Sequence, residues 1–510
     1  MTVSQILLLA LYVPLACLLM LYGVHRVHIL VEYLRTRKNN PLPEGTLKEW
    51  PTVLVQVPIY NERAVVRRIL GAVGKFDYPR DKLRVQVLDD SNDETVEIAA
   101  EACAELRANG VSAEHIRRDS REGFKAGALA NGLHLDDSDL VAIFDADFQP
   151  RPDFLRQVVP YFAKEGVGLV QARWEHLNLK RNLLTRFATL FLDGHFILEH
   201  TYRHRTGRFF NFNGTAGIWR RSCIDDAGGW SASSITEDTE ISFRALLRGW
   251  EFVYLRDLTV PAEVPADVDA FKSQQHRWAK GYTEVLREHL PTIWRANVPL
   301  KAKIEATFML SGHFAFLLLG TLTILSLPIV LVRSRFHSTP AQILLDVTSL
   351  YLVVFAFFSF YAVSQWEAKR LTLGRLLTLP LAIGFAMSMM INSCRAVLEA
   401  LFGHKTEFVR TPKEGDKPQQ GYKANAAIGQ AWTEIAFGVY LTASSIYLLV
   451  DRGHMFGIIL PMLVAGGFFF LGGGTLRNHF RRQRALRAAQ DETPVPDPAT
   501  DDLAATAPRP

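Results

Sequence analysis

The chain has 510 residues, with 57 Lys and Arg against 52 Asp and Glu, a formal net charge of +5 and an apolar fraction of 48%. That length holds a large soluble domain and a membrane region together. The small positive balance lies mostly beside apolar segments, which fits membrane flanks and excludes the basic face that nucleic-acid binding needs. Cys17, Cys103, Cys223 and Cys394 form no CxxC pair, so reduced thiols are expected and neither a disulfide framework nor a zinc site.

Ile6–Val24 is uncharged and long enough to span a bilayer. No basic residue precedes it and no small-x-small cleavage site follows, which argues against a cleavable signal peptide. Arg26, Arg35, Arg37 and Lys38 follow it, so the positive-inside rule places residue 30 onward in the cytosol.

Charge stays dense from Arg26 to Lys303. Within this stretch Val53–Val57, Val85–Leu88 and Val141–Phe144 read as short buried strands, the first closed by Pro58, with a helix over Thr95–Asn109. Strands alternating with helices predict an open α/β sheet, which binds ligands at the carboxyl ends of its strands. Asp89-Asp90-Ser91 and Asp145-Ala-Asp147 fall at such ends. An aspartate after a strand often only caps a helix or makes a turn. Two such sites in one sheet, with Lys125 between them, favour chemistry. Thr236-Glu237-Asp238 opens a predicted helix ending near Arg248, and a helix N-terminus holds a carboxylate ionised. Gln274, Arg277 and Trp278 are spaced by three and four, so they share one helix face.

Charge becomes sparse from Ala306 to Leu476. Ala306–Val332, Ala341–Val363, Gln430–Val450 and Met455–Leu476 read as spans. Leu376–Phe402 is apolar but carries Asn392, Arg395 and Glu399. If it spanned, the tail with Arg477, Arg481, Arg482 and Arg484 would lie outside. An interfacial segment keeps that tail and the Lys405–Lys423 loop cytosolic, so five spans and one interfacial segment are expected, with Arg333 and Arg335 as an outside exception. The resulting plan is an N-terminal transmembrane helix over 1–30, a cytosolic domain over 45–300 and a membrane domain over 304–476. The interfacial helix and following loop occupy 376–429, and a Pro-, Ala-, Asp- and Thr-rich disordered tail occupies 485–510.

The DxD, TED and Gln-Gln-His-Arg-Trp motifs, in that order before membrane spans, resemble the membrane-embedded family 2 glycosyltransferases. Gln56-Val-Pro-Ile-Tyr-Asn-Glu62, Val87–Ser91, Phe144–Pro150, Val170–Trp174 and Phe210–Arg220 extend the likeness to the cellulose-synthase-like mannan and glucan synthases. The run Asn213-Gly-Thr-Ala-Gly217 is most similar to the glucomannan 4-β-mannosyltransferase type. The resemblance implies a GT-A nucleotide-sugar-binding domain inserted between transmembrane α-helices, an NDP-sugar donor, Mg²⁺ or Mn²⁺, and inversion at the anomeric carbon. It assigns Tyr60, Glu62 and Asp90 to base and ribose, and Asp145 with Asp147 to the metal. Lys125 and Arg277 fall to the diphosphate and Asp238 to the general base. Gly214, Thr215, Gln274 and Trp278 fall on the acceptor side. Phe408-Val-Arg-Thr411-Pro-Lys413 resembles the gating loop of processive synthases, with Arg410 departing from the usual Val.

Two functions compete. One is a processive synthase of a β-1,4-linked hexose polymer that also translocates it, fed by GDP-mannose or UDP-glucose. The other is a glycolipid glycosyltransferase adding one or a few sugars to a membrane acceptor. Both place the enzyme in the plasma or inner membrane, in contact with lipids and with the catalytic domain in the cytosol. The sequence leaves donor identity and self-association open.

Overall fold

The computed structural model describes residues 3–333, 340–404, 424–452 and 458–491. Seven strands form one mixed sheet: β1 (Val53–Ile59), β2 (Leu83–Asp89), β3 (Ser112–Arg117), β4 (Leu140–Ile143), β5 (Val167–His176), β6 (Gly217–Arg220) and β7 (Glu251–Ala262). Their order is β3-β2-β1-β4-β6-β5-β7. β1 to β4 pair in parallel, and β6 is antiparallel to both of its neighbours. β1 does not stop at Pro58, contrary to the sequence reading. It runs on to Ile59, because β4 pairs only as far as Gln56 and Pro58, which has no N–H to donate, lies beyond that partner.

Both faces of the sheet are covered, as a largely parallel sheet requires. Along β4, Leu140 and Ala142 join the core with Val55, Phe76 and Phe154, while Val141 and Ile143 join Leu129, Trp219 and Ile241 on the other face. That alternation is the two-residue period of a strand buried on both sides.

Helices bring the remaining motifs to the sheet. The predicted helix at Thr95 spans Thr95–Ala108. Glu237–Leu247 follows Thr236 and ends before Arg248. Val268–Arg295, which carries Gln274 to Trp278, starts where the Asp267 carboxylate accepts from the N–H groups of Asp269 and Ala270. A fourth helical stretch runs from Leu183 to Arg205 behind a capping box between Asn182 and Thr185, and is interrupted by a π-helical turn over Gly194–Glu199.

Four described segments are long and apolar enough to cross a membrane: Ile6–Thr36, Leu373–Leu401, Ala427–Val450 and Ile459–Arg484. Leu300–Leu310 and Phe314–Ile329, bent by 53°, make a fifth if they act as one span, and Leu352–Glu367 is a shorter apolar helix. The final helix extends to Asp491, into the segment expected to be disordered, while 492–510 lie outside the described residues. All four cysteines are free.

Candidate active site

At the carboxyl edge of the sheet is a cleft of about 190 Å³ that gathers Tyr60, Glu62, Asp90, Lys125, Asp145, Asp147, Gly214, Asp238, Gln274, Arg277 and Trp278. Residues up to 218 positions apart in sequence therefore share one wall, as the strand-end argument anticipates. Phe408, Thr411 and Lys413 lie outside the described residues.

One end of the cleft is built from the loops after β1, β2 and β3. The Arg121 guanidinium lies 3.3 Å from the centre of the Tyr60 ring, a stacking arrangement. Asp90 accepts from Arg118 Nε at 3.0 Å and Nη2 at 2.6 Å, a bidentate pair. The β2–β3 pairing of Asp89 with Arg117 sets the next residues, Asp90 and Arg118, side by side.

In the middle, the Lys125 ammonium donates to Asp145 Oδ1 at 2.5 Å and to the Gly214 carbonyl at 2.9 Å, and lies 4.0 Å from Glu237. Burial alone would lower the lysine pKa, but Asp145, Glu237 and Asp238 together raise it. Lys125 thus sits among carboxylates and ties the DxD turn to the Gly214 loop. Thr215 is also placed differently from the sequence expectation. It is fully buried and its hydroxyl accepts from the Asp145 N–H at 2.9 Å, so it orients the DxD turn from behind instead of facing an acceptor.

Asp238 occupies the first turn of its helix, and its Oδ1 accepts from the Thr239 N–H at 2.7 Å. Its carboxyl is nonetheless pushed up to about 7, first by burial and then by Glu237, with Lys125 opposing. The helix N-terminus was expected to hold it ionised; desolvation and a neighbouring like charge outweigh that effect. A carboxylate poised near neutrality suits a general base. Gly214, at φ +78°, passes so close that a β-carbon there would sit 3.0 Å from Asp238 Oδ2.

A larger cavity of about 430 Å³ joins the cleft at Trp174, Asn213, Thr236, Asp238, Gln274 and Trp278. It continues between the N-terminal helix, the interrupted helix and the helices at 308–316 and 353–361. Arg277 faces the cleft alone, whereas Gln274 and Trp278 line both spaces. Asn213, Trp174, Arg118 and Arg121 acquire their places only in three dimensions. Their sequence signals, an Asn beside Gly214 and a basic run before Gly123, are weak in isolation.

The wall chemistry fits a divalent cation. Among the described residues, eight carboxylates line the cleft (Glu62, Asp90, Asp145, Asp147, Glu175, Glu237, Asp238 and Glu263) against three fixed cations, Arg121, Lys125 and Arg277. An anionic diphosphate entering that wall needs added positive charge, and oxygen ligands suit Mg²⁺ or Mn²⁺.

The mixed seven-stranded sheet, with its carboxylate-lined cleft at the strand ends, defines a GT-A-type domain. The family described as "Glycosyltransferase like family 2" matches residues 51–281. Glucomannan 4-beta-mannosyltransferase 7 of Arabidopsis thaliana is 34% identical over 458 residues, 83% of this chain and 77% of that protein. Probable glucomannan 4-beta-mannosyltransferase 10 of the same plant is 43% identical over 259 residues, 48% of this chain and 47% of its own length. The chain spans about half the length of several such relatives. A mannosyltransferase from Pyrobaculum calidifontis, solved in complex with GDP-Man and Mn²⁺, shares the fold with a TM-score of 0.53 at 19% identity, over 77% of this chain and 100% of that one. The chain belongs to glycosyltransferase family 2, in the cellulose-synthase-like group of the glucomannan 4-beta-mannosyltransferases.

Proposed function

We propose that the chain is a membrane-embedded, inverting glycosyltransferase that polymerises hexose units from an NDP-sugar into a β-1,4-linked polysaccharide and passes the product through the larger cavity. GDP-mannose is the favoured donor, on the strength of the mannosyltransferase relatives. The observation that carries the reading is the meeting of the two cavities at Asp238 and Trp278. Donor and acceptor then approach the base from opposite sides.

In this reaction the acceptor hydroxyl attacks the anomeric carbon, Asp238 takes its proton, and the bond to the diphosphate breaks with inversion. Arg277 stabilises the charge that grows on the leaving diphosphate. Trp278 offers its indole face to the acceptor's terminal ring. Asp147 and Asp145 would hold Mg²⁺ or Mn²⁺, which offsets charge on the diphosphate. Lys125, already bonded to Asp145, holds the DxD turn against the Gly214 loop.

Membrane placement supports passage. The break between Leu310 and Phe314 brings Gly312 and His313 to the cavity wall. Irregular backbone at membrane depth is tolerated where it lines a cavity. The segment 373–401 is long enough to span, but both ends meet the soluble domain. Just before it, Arg370 pairs with Glu175 and with Asp193 at 3.0 Å. At its far end, the Ala400 carbonyl accepts from Arg287 at 2.8 Å. That arrangement favours an interfacial or re-entrant segment, with the catalytic domain and the following loop both cytosolic.

The test is purified full-length chain in lipid nanodiscs, given labelled GDP-mannose or UDP-glucose with Mn²⁺. Metal-dependent polymer from GDP-mannose is expected. A lipid carrying only one or two sugars would replace the polymer reading with the glycolipid one.

A further inference from the structure

Gln274, Arg277 and Trp278 reach the cleft from one face of the helix Val268–Arg295. At about 100° per residue they project roughly 200°, 140° and 240° away from Lys272, which stands on the opposite face. That lysine is buried, and its ammonium has three acceptors for three N–H groups. Nζ lies 2.8 Å from Glu434 Oε1 and 2.9 Å from Oε2, and donates to the Thr475 hydroxyl at 3.2 Å.

The partners come from three other helical segments, each long and apolar enough to cross a membrane. Glu434, fully buried, is the sole charged residue of Ala427–Val450. Thr475 belongs to Ile459–Arg484. Gln430 donates to Glu434 Oε1 at 3.0 Å and to Asn392 Oδ1 at 3.3 Å. Asn392, on Leu373–Leu401, donates in turn to the Lys272 carbonyl at 3.0 Å. None of these five side chains keeps a buried polar atom without a partner. Just before Lys272, Asn478 donates to the N-cap Asp267 at 2.6 Å, and a β-carbon on Gly474 would lie 2.8 Å from Val268 Cγ2.

Holding apolar helices together needs no such network. Desolvating two charges offsets most of their attraction, so a buried pair adds little net stability, and its best-attested use is to fix register. A charge in a segment of membrane-spanning character is costly and marks function. Apolar packing alone lets a helix turn or slide, whereas directional hydrogen bonds to both the side chain and the backbone of Lys272 do not. We propose that Lys272 and Glu434 are positioning residues, which with Thr475 and Asn392 set the rotation and axial register of the helix that presents Arg277 and Trp278. The pair thereby passes the placement of the apolar segments to the opposite, catalytic face. Its effect on turnover rests on the transfer reaction proposed above; its effect on where Trp278 stands does not.

The test uses full-length chain labelled with fluorotryptophan and followed by fluorine NMR, the Trp278 signal being identified by its loss in Trp278→Phe. Transfer from GDP-mannose is measured on the same samples. Lys272→Met or Glu434→Leu alone strands one buried charge and should lower thermal stability, which the two together should restore. The double variant should nonetheless show a displaced Trp278 signal and about tenfold lower kcat, with donor KM within twofold. Glu434→Asp keeps both charges on a shorter link and carries the test if the double variant does not fold, with a displaced signal and kcat about threefold lower. A wild-type Trp278 signal or a wild-type kcat in the folded variant overturns the proposal, because the pair would then only join helices. A wild type that transfers no sugar overturns the reaction instead, and the Trp278 signal alone then decides the positioning role.

Discussion

Thr236 fills the space that a side chain at position 281 would need. A β-carbon on Gly281 would lie 2.8 Å from Thr236 Cβ and closer still to its γ atoms. This contact presses the helix bearing Gln274, Arg277 and Trp278 onto the residue before Glu237 and Asp238, so Asp238 and Trp278 share one wall. Overpacking typically costs about 1–3 kcal/mol. Gly281→Ala should therefore lower turnover at least about tenfold while donor affinity, which we assign to the loops after β1, β2 and β3, stays within threefold. Unchanged turnover would show that the helix can shift without consequence.

As the proposed base, Asp238 should set the acid limb of the pH profile. A base with a carboxyl near 7 must be ionised to act, so kcat/KM should fall about tenfold per pH unit below 7 and level off above it. Asp238→Asn should cost ~10²–10⁴-fold. Lys125→Met removes a charge that lowers the Asp238 pKa, so any residual activity should show its acid limb moved to higher pH. A wild-type profile flat from pH 5 to 8 would take Asp238 out of the base role.

Exhaustive chelation should abolish transfer, with Mn²⁺ or Mg²⁺ restoring it. Asp147→Asn should weaken metal-dependent donor binding, read by calorimetry with and without Mn²⁺. Donor affinity indifferent to chelation in the wild type would show that Arg277, Lys125 and Arg121 suffice for the diphosphate.

The segment 373–401 gives a topological test. Single cysteines at positions 369 and 402, in a background lacking the four native ones, should both be shielded from a membrane-impermeant thiol reagent added outside. Labelling at 402 with protection at 369 would mean that the segment spans.

Trp278→Ala should shorten products more than it weakens donor binding, because the indole borders the larger cavity, where we place the acceptor, as well as the cleft. Loss of about 0.5–1.5 kcal/mol of stacking shortens the time a chain end stays in place between additions. A length distribution identical to wild type would separate Trp278 from elongation.

Much of the site was legible in sequence because its chemistry sits at strand ends and helix starts, where polar residues interrupt apolar runs. β1, β2 and β4 carry such runs; β3 alternates with charged residues, β6 has only four residues and β7 is charged on its outer positions, so their patterns were lost. Arg118 could not be paired with Asp90 without the β2–β3 register. Thr215 looked like a wall residue, since sequence does not distinguish a hydroxyl facing a cavity from one turned inward to a backbone N–H.

The π-helical turn at 194–199 also changes what one helix touches along its length. It inserts extra residues into a repeat of 3.6, so the faces before and after it fall out of phase. Ahead of it, Phe187 and Phe191 meet the ring of Phe385, at 5.1 and 6.2 Å between centroids. Beyond it, His200 packs on Tyr254 of β7 at 5.2 Å and the Tyr202 hydroxyl reaches Glu305 at 3.0 Å. A single rod is thereby keyed at one end to the apolar helix Leu373–Ser388 and at the other to the sheet and the helix Leu300–Leu310. Side chains placed by the two ends are therefore set independently, with His195 and Glu199 on the turn where one face gives way to the other.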